Sequence, residues 1–182
     1  MSDKIYGYFP DIYDASEDER FRYLLGQRGT RVLVTFGINP STANRVKSDA
    51  TVTRVWRTAA KNHFDGWLML NVCSQRATDP KKISPRPSKE DHQKNRRALR
   101  RILKQFPDYA CLGAWGNLIG SREYLGSHLK DLVGAGDLLK RAGFCFGTTQ
   151  EGHPKHPSRV GYDQFQPFDM TGYIKRLPVK KA

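Results

Sequence analysis

The run Val32-Leu33-Val34-Thr35-Phe36, closed by Gly37, restricts the fold more than any other stretch of this chain. Apolar and β-branched residues without polar alternation fill a strand buried on both faces, the kind found where helices cover a sheet from two sides. After the glycine come Asn39, Pro40, Ser41 and Thr42. Proline stiffens the turn, and the small polar side chains can bond their own backbone instead of continuing the strand. An asparagine is thereby fixed at the carboxyl edge of a sheet, where open α/β folds bind ligands. A plain polar turn behind a buried strand is the competing reading of the same residues.

The pattern recurs along the chain. Gly66-Trp67-Leu68-Met69-Leu70 runs into Asn71, Tyr109-Ala110-Cys111-Leu112 into Gly113, and Gly143-Phe144-Cys145-Phe146 into Gly147 and the polar loop 148–160. Between them, Ser48 or Asp49 can cap a helix over residues 51–62 that places Val52, Val55, Trp56 and Ala59 on one face. Ser88 and Asp91 have capping-box spacing and open a helix to about residue 106, buried through Leu99, Ile102, Leu103 and Phe106. Helical segments follow the third strand to about residue 142, and a last helix spans about 167–177. Ser16 and Glu19 share the capping-box spacing, so the segment up to Gly26 is either a short helix or, by the alternation over 21–25, an edge strand. Four strands separated by helices predict one domain over residues 1–182, with an acidic segment over 1–20 and a core over about 30–178. The expected architecture is a three-layer α/β/α fold on a mainly parallel four-stranded central sheet. The loops after its first, second and fourth strands then converge on one edge.

The charge balance points to a partner. Lys and Arg number 31 against 18 Asp and Glu, a net +13, and residues 1–20 hold six of the acids and only two of the bases. The remaining body is strongly basic, which suits a polyanion, nucleic acid before an anionic membrane. Arg45, Lys47, Arg54 and Arg57 can meet phosphates, as can Lys94, Arg96, Arg97, Arg100, Arg101 and Lys104 on the outer face of the 88–106 helix. A charged helix face can equally be solvated and nothing more. No stretch approaches the roughly 20 apolar residues of a membrane span. No signal-peptide pattern opens the chain, so a cytoplasmic monomer without a membrane partner is expected. Cys73, Cys111 and Cys145 are scattered in apolar surroundings and read as reduced, buried thiols. The five histidines lack i, i+4 pairing, and neither a metal nor a cofactor is expected.

With these loops in view, the chain resembles the uracil-DNA glycosylase superfamily from about residue 32 to 160. Gly37-Ile38-Asn39-Pro40 is similar to the first motif of the mismatch-specific (thymine/uracil) branch, which positions the attacking water. Gly66-Trp67-Leu68-Met69-Leu70-Asn71 resembles the strand of the classical uracil enzymes whose terminal asparagine reads the base edge. His156-Pro157-Ser158 is similar to the second motif, which clamps the DNA strand and, in its histidine form, faces the base carbonyl. The classical first motif has aspartate where this chain has Asn39, and Arg159 and Val160 stand where the second motif continues with Pro or Gly and an intercalating leucine. The cysteines of the cluster-bearing branches are missing.

The resemblance implies a monofunctional DNA glycosylase that flips a base and hydrolyses its N-glycosidic bond. Asn39 would orient the water through its amide oxygen, since a neutral amide is a poor general base. Asn71 offers both a donor and an acceptor to a pyrimidine edge. His156 would donate to the carbonyl on which charge develops. Phe36 and Trp115 are large enough to stack on a base, with the core as their other destination. Lys155, Ser158, Arg159 and Val160, with Arg45 and Lys47, would contact DNA, while His153 has no assigned role. The classical enzymes carry a tyrosine just after the first motif's proline, which excludes a C5 substituent. Ser41 stands there instead, so the expected substrate is a C5-modified pyrimidine, with hydroxymethylated or glucosylated phage cytosine as the leading case and phage defence as the setting. The alternatives are a uracil, mismatch or deaminated-base repair enzyme and a nucleic-acid-binding protein without chemistry.

Overall fold

In the computed structural model, which describes residues 7–178, the predicted first strand lies at the middle of the sheet. In chain order the elements are β1 (Ile12–Ala15), β2 (Arg22–Gln27), β3 (Arg31–Gly37), α1 (Ala50–Lys61), β4 (Gly66–Asn71), α2 (Lys89–Leu103), β5 (Asp108–Gly113), α3 (Glu123–Ala135), β6 (Gly143–Cys145), β7 (Gln166–Pro167) and α4 (Met170–Arg176). The opening six residues of the acidic segment and the end of the basic tail, residues 179–182, lie outside the described residues.

The expectation of a mainly parallel four-stranded sheet is corrected. The fold is mixed α/β, with a seven-stranded sheet in the order β1-β2-β4-β3-β5-β6-β7. β3 pairs parallel with β4 and β5, and β5 with β6, whereas β1 with β2, β2 with β4 and β6 with β7 are antiparallel. Of the two readings of the segment up to Gly26, the strand is the one formed, as β2, while β1 and β7 were not anticipated. Ser16 and Glu19 make no helix. Ser16 Oγ accepts from the Phe21 amide at 3.0 Å, and Glu19 sits at φ 57, so the pair closes the β1–β2 hairpin. At the other flank, β7 is two residues long, too short to leave a pattern.

Alternation along the central strands sends side chains to two apolar layers. Leu33, Trp67, Met69, Ala110 and Leu112 pack with Val52, Val55 and Ala59 of α1. Val32, Val34, Phe36, Leu68, Leu70 and Cys111 pack on the other face with residues of α2, α3 and α4. Each Val, Leu, Phe or Met side chain among them, fully withdrawn from water, stabilises the fold by about 1.5–3 kcal/mol. A one-residue slip of β3 on β4 would exchange the two sets, so the register is strongly held. That register sets Phe36 opposite Leu70 and Gly37 opposite Asn71. The first two predicted strand ends therefore lie side by side.

Helix ends follow their caps. Asp49 accepts from the Val52 amide at 2.8 Å and starts α1, and Ser88 accepts from the Asp91 amide at 3.2 Å and starts α2. All three cysteines are free, and burial pushes the Cys111 thiol up to about 12. Among the described residues no helix is long and apolar enough to cross a membrane.

Candidate functional site

The site begins where β3 and β4 end together. A Cβ on Gly37 would stand 2.6 Å from Met69 Cε and 2.9 Å from Asn71 Oδ1, so only glycine leaves that amide its place. Asn71 is 1% exposed, yet neither its Nδ2 nor its Oδ1 has a hydrogen-bond partner. Its backbone is held from the opposite face of the sheet, where Asn95 Nδ2 donates to the Asn71 carbonyl at 2.8 Å.

The two following loops are stitched together by backbone bonds. Cys73 N donates to the Ile38 carbonyl at 2.8 Å and Ala77 N to the Pro40 carbonyl at 2.9 Å. Asn39 bridges the same loops, its Nδ2 donating to the Pro40 carbonyl at 3.0 Å and the Ala77 carbonyl at 2.7 Å. With both amide hydrogens committed, Oδ1 is the end of Asn39 that can accept from something held nearby.

A third loop arrives from β6. It is tied to the sheet by Gly116 N donating to the Pro154 carbonyl at 2.8 Å and Lys155 N to the Gly147 carbonyl at 3.0 Å. His153 acts as its anchor. Trp115 Nε1 donates to the Tyr173 hydroxyl at 2.9 Å, and that hydroxyl lies 2.8 Å from His153 Nδ1. At the end of the loop, His156 Nδ1 lies 2.8 Å from Ser158 Oγ and accepts from the Ser158 amide at 3.4 Å. An accepting Nδ1 leaves the hydrogen of the neutral ring on Nε2.

Asn39, Ser41, Asn71 and His156 line one cavity of about 170 Å³, together with Arg22, Asp49, Thr51 and Leu118. This volume suits a single ring, since a cavity of about 150 Å³ is enough for benzene. Other predicted residues lie elsewhere. Phe36 and Trp115 are fully buried in the core and cannot stack on a ligand. Val160 is 8% exposed and packs on the α1 layer, so it does not project as a wedge. Arg45, Lys47 and Ser158 are exposed, and Lys155 is half-buried. Arg159 lies in the short turn Pro157–Arg159, and its side chain is outside the described ones. The outer face of α2 is partly neutralised, Lys94 by Glu90 at 2.8 Å, Arg96 by Asp131 at 3.2 Å and Arg101 by Asp14 at 2.5 Å.

Arg22 was not anticipated. It opens an apolar run and carries no motif, and it is placed by long-range contacts, paired with Ala15 of β1 and donating its amide to the Ser74 carbonyl at 2.9 Å beyond β4. Its Nη1 donates to the Ala43 carbonyl at 2.9 Å, a carbonyl it shares with Arg76 Nη1 at 3.1 Å, while its Nε is buried without a partner. Burial pushes the guanidinium down to about 10, with Arg76 adding to the shift and Asp49 opposing it. It therefore stays charged at neutral pH. A second cavity of about 360 Å³, lined by Phe21, Cys73, Tyr124, His92 and His128, contains none of the predicted site residues.

The family model that matches this chain, described as Protein of unknown function (DUF1643), covers residues 22–158. No curated protein and no solved structure matches it. The resemblance to the uracil-DNA glycosylase superfamily is overturned by this match, which is to a different family. The physical reason is that each motif behind the resemblance is only a few residues long, and glycine, asparagine and proline are common wherever a buried strand turns into a polar loop.

Proposed function

The chain belongs to the DUF1643 family over a span that includes every polar residue of the ring-sized cavity, and from that cavity we propose a hydrolase that cleaves the N-glycosidic bond of a C5-substituted pyrimidine in DNA, leaving an abasic site. The carrying observation is the amide of Asn71, buried in the cavity floor with donor and acceptor both unsatisfied. Leaving such groups unpaired costs about 1–3 kcal/mol each, so the site favours a ligand that presents a complementary acceptor and donor side by side. The edge of a pyrimidine does so.

The other groups supply the chemistry. Asn39 Oδ1 holds a water against the sugar carbon, and the Nε2 hydrogen of His156 meets the carbonyl oxygen on which charge gathers as the base departs. Ser41 leaves room at C5. A hydroxymethyl group fits beside it, and a glucosyl group has to extend through the mouth of the cavity. The excess of basic residues supports DNA, rather than a free nucleoside, as the carrier of the base.

The test is abasic-site formation on single- and double-stranded DNA containing uracil, 5-hydroxymethyluracil, 5-hydroxymethylcytosine or glucosylated 5-hydroxymethylcytosine, with EDTA present. Release of a C5-substituted base supports the reading. Release of uracil alone makes this a repair enzyme, and tight DNA binding without release from any substrate makes it a binding protein.

A further inference from the structure

We propose that Arg22 is a further catalytic residue of this reaction, a fixed positive charge that stabilises the departing base as its anion. The inference rests on the function proposed above and adds to it the electrostatic partner of the leaving group. Arg22 lines the same cavity as Asn71 and is 1% exposed. No carboxylate stands within ion-pairing distance of it among the described residues, and its Nε hydrogen is unused. The Ala43 carbonyl, 2.9 Å from Nη1, holds the guanidinium in position. A desolvated cation whose neighbouring carboxylate, Asp49 on the same cavity, stands beyond ion-pairing distance is unfavourable by itself, and an anion that forms closer to it offsets that cost.

The reaction forms such an anion. The bond from C1′ to the ring nitrogen breaks with both electrons going to the base, the water oxygen bonds to C1′ and loses its proton, and the base regains a proton on that nitrogen. Arg22 transfers no proton, because a guanidinium remains charged throughout. It lowers the barrier through charge that is already in place, whereas water in the same position would have to reorient.

The closing experiment compares base release from oligonucleotides carrying 5-fluorouracil, uracil, 5-hydroxymethyluracil or 5-hydroxymethylcytosine, whose bases differ in leaving-group acidity. Arg22→Gln is expected to slow release by about 10²–10³-fold, the usual loss for one preorganised donor. The loss should be largest for the poorest leaving group, raising the ratio of the 5-fluorouracil rate to the uracil rate by about tenfold, while Arg22→Lys stays near the wild-type ratio. That ratio does not depend on how much of a variant is folded. Equal slowing on every base overturns the role and leaves Arg22 as a support for the 41–49 loop. If Arg22→Gln does not fold, binding of free 5-fluorouracil to the unmodified protein decides. Affinity that rises as the pH passes the ionisation of the ring N–H supports an anion site, and a flat or falling affinity overturns it. If the wild-type protein forms no abasic site from any of these DNAs, the function proposed above falls, and this role falls with it. Release with an unchanged ratio removes Arg22 alone.

Discussion

Asn71 and Asn39 are the same side chain used in opposite ways. At Asn39 the backbone takes the two hydrogens and leaves the oxygen, while at Asn71 the backbone takes neither end. Asn39→Ala should therefore abolish base release with DNA affinity unchanged, measured as single-turnover rate and as equilibrium binding on the same substrate. Equal loss of both would assign Asn39 to folding or to DNA contact. Ser41→Tyr tests the cavity wall, since a ring placed there excludes a C5 group and spares C5-H. Release of 5-hydroxymethyluracil should fall more than that of uracil, and equal effects would remove the open-wall argument. That Asn39, Ser41 and Asn71 stand at or just past strand ends was readable in advance because the apolar runs before them are unmistakable, and His156 lies in the long loop behind the fourth run. Arg22 was not readable, because its place in the site depends on which strand β4 accepts as its outer neighbour, a long-range choice that no local pattern records.

Caps and interhelical contacts govern the elements that carry these residues. Asp49 accepts from Val52 N at 2.8 Å and from Ala43 N at 3.3 Å, so one carboxylate starts α1 and restrains the loop that bears Ser41. Asp49→Ala should destabilise the fold by about 1 kcal/mol, the usual value of an N-cap. For a chain of this size that corresponds to about 2–4 °C in Tm by calorimetry. An unchanged Tm would show that α1 is held by packing alone. On the other face of the sheet, His92 of α2 stacks on His128 of α3 with ring centroids 3.6 Å apart, and Asp131 bonds His92 at 2.9 Å. Burial pushes His128 down to about 4, His92 adding to the shift and Asp131 opposing it. The folded chain keeps this ring neutral while the unfolded chain protonates it near 6.5, so the unfolded state binds more protons between these values. Stability is full above about pH 6.5 and is lost as the pH falls toward 4. Denaturant melts over that range should show the loss, and His128→Gln should flatten it, whereas parallel curves for the two proteins would assign the acid sensitivity elsewhere. The helices that set this contact were visible as amphipathic periods with caps. The pairing of the two rings was not, because periodicity gives the face of a helix and not the neighbour it meets.

At the scale of the whole molecule the proposed function requires one side of the sheet to meet DNA. The net charge of +13 is shared between two sides with different prospects. α2 packs on the face opposite α1, and three of its cations already have carboxylate partners. The cavity lies on the α1 side, lined by Ser41 and Asp49 at either end of the loop that displays Arg45 and Lys47 to solvent. Under the proposed function, a base in that cavity would bring its flanking phosphates against this loop and leave α2 remote from the DNA. Binding to an oligonucleotide should weaken by orders of magnitude between low and moderate salt, because each phosphate neutralised releases counter-ions. Arg45→Glu with Lys47→Glu should lower affinity on every sequence and reduce the slope of log affinity against log salt by about two, roughly one for each lost contact. Arg97→Glu with Arg100→Glu, which reverses charge on the exposed part of α2, should leave affinity and slope unchanged. The opposite result, with the α2 pair weakening DNA binding and the loop pair without effect, would put DNA on the side away from Asn39, Asn71 and His156. No nucleotide could then reach the cavity from a bound strand, and the proposed chemistry would lose its substrate.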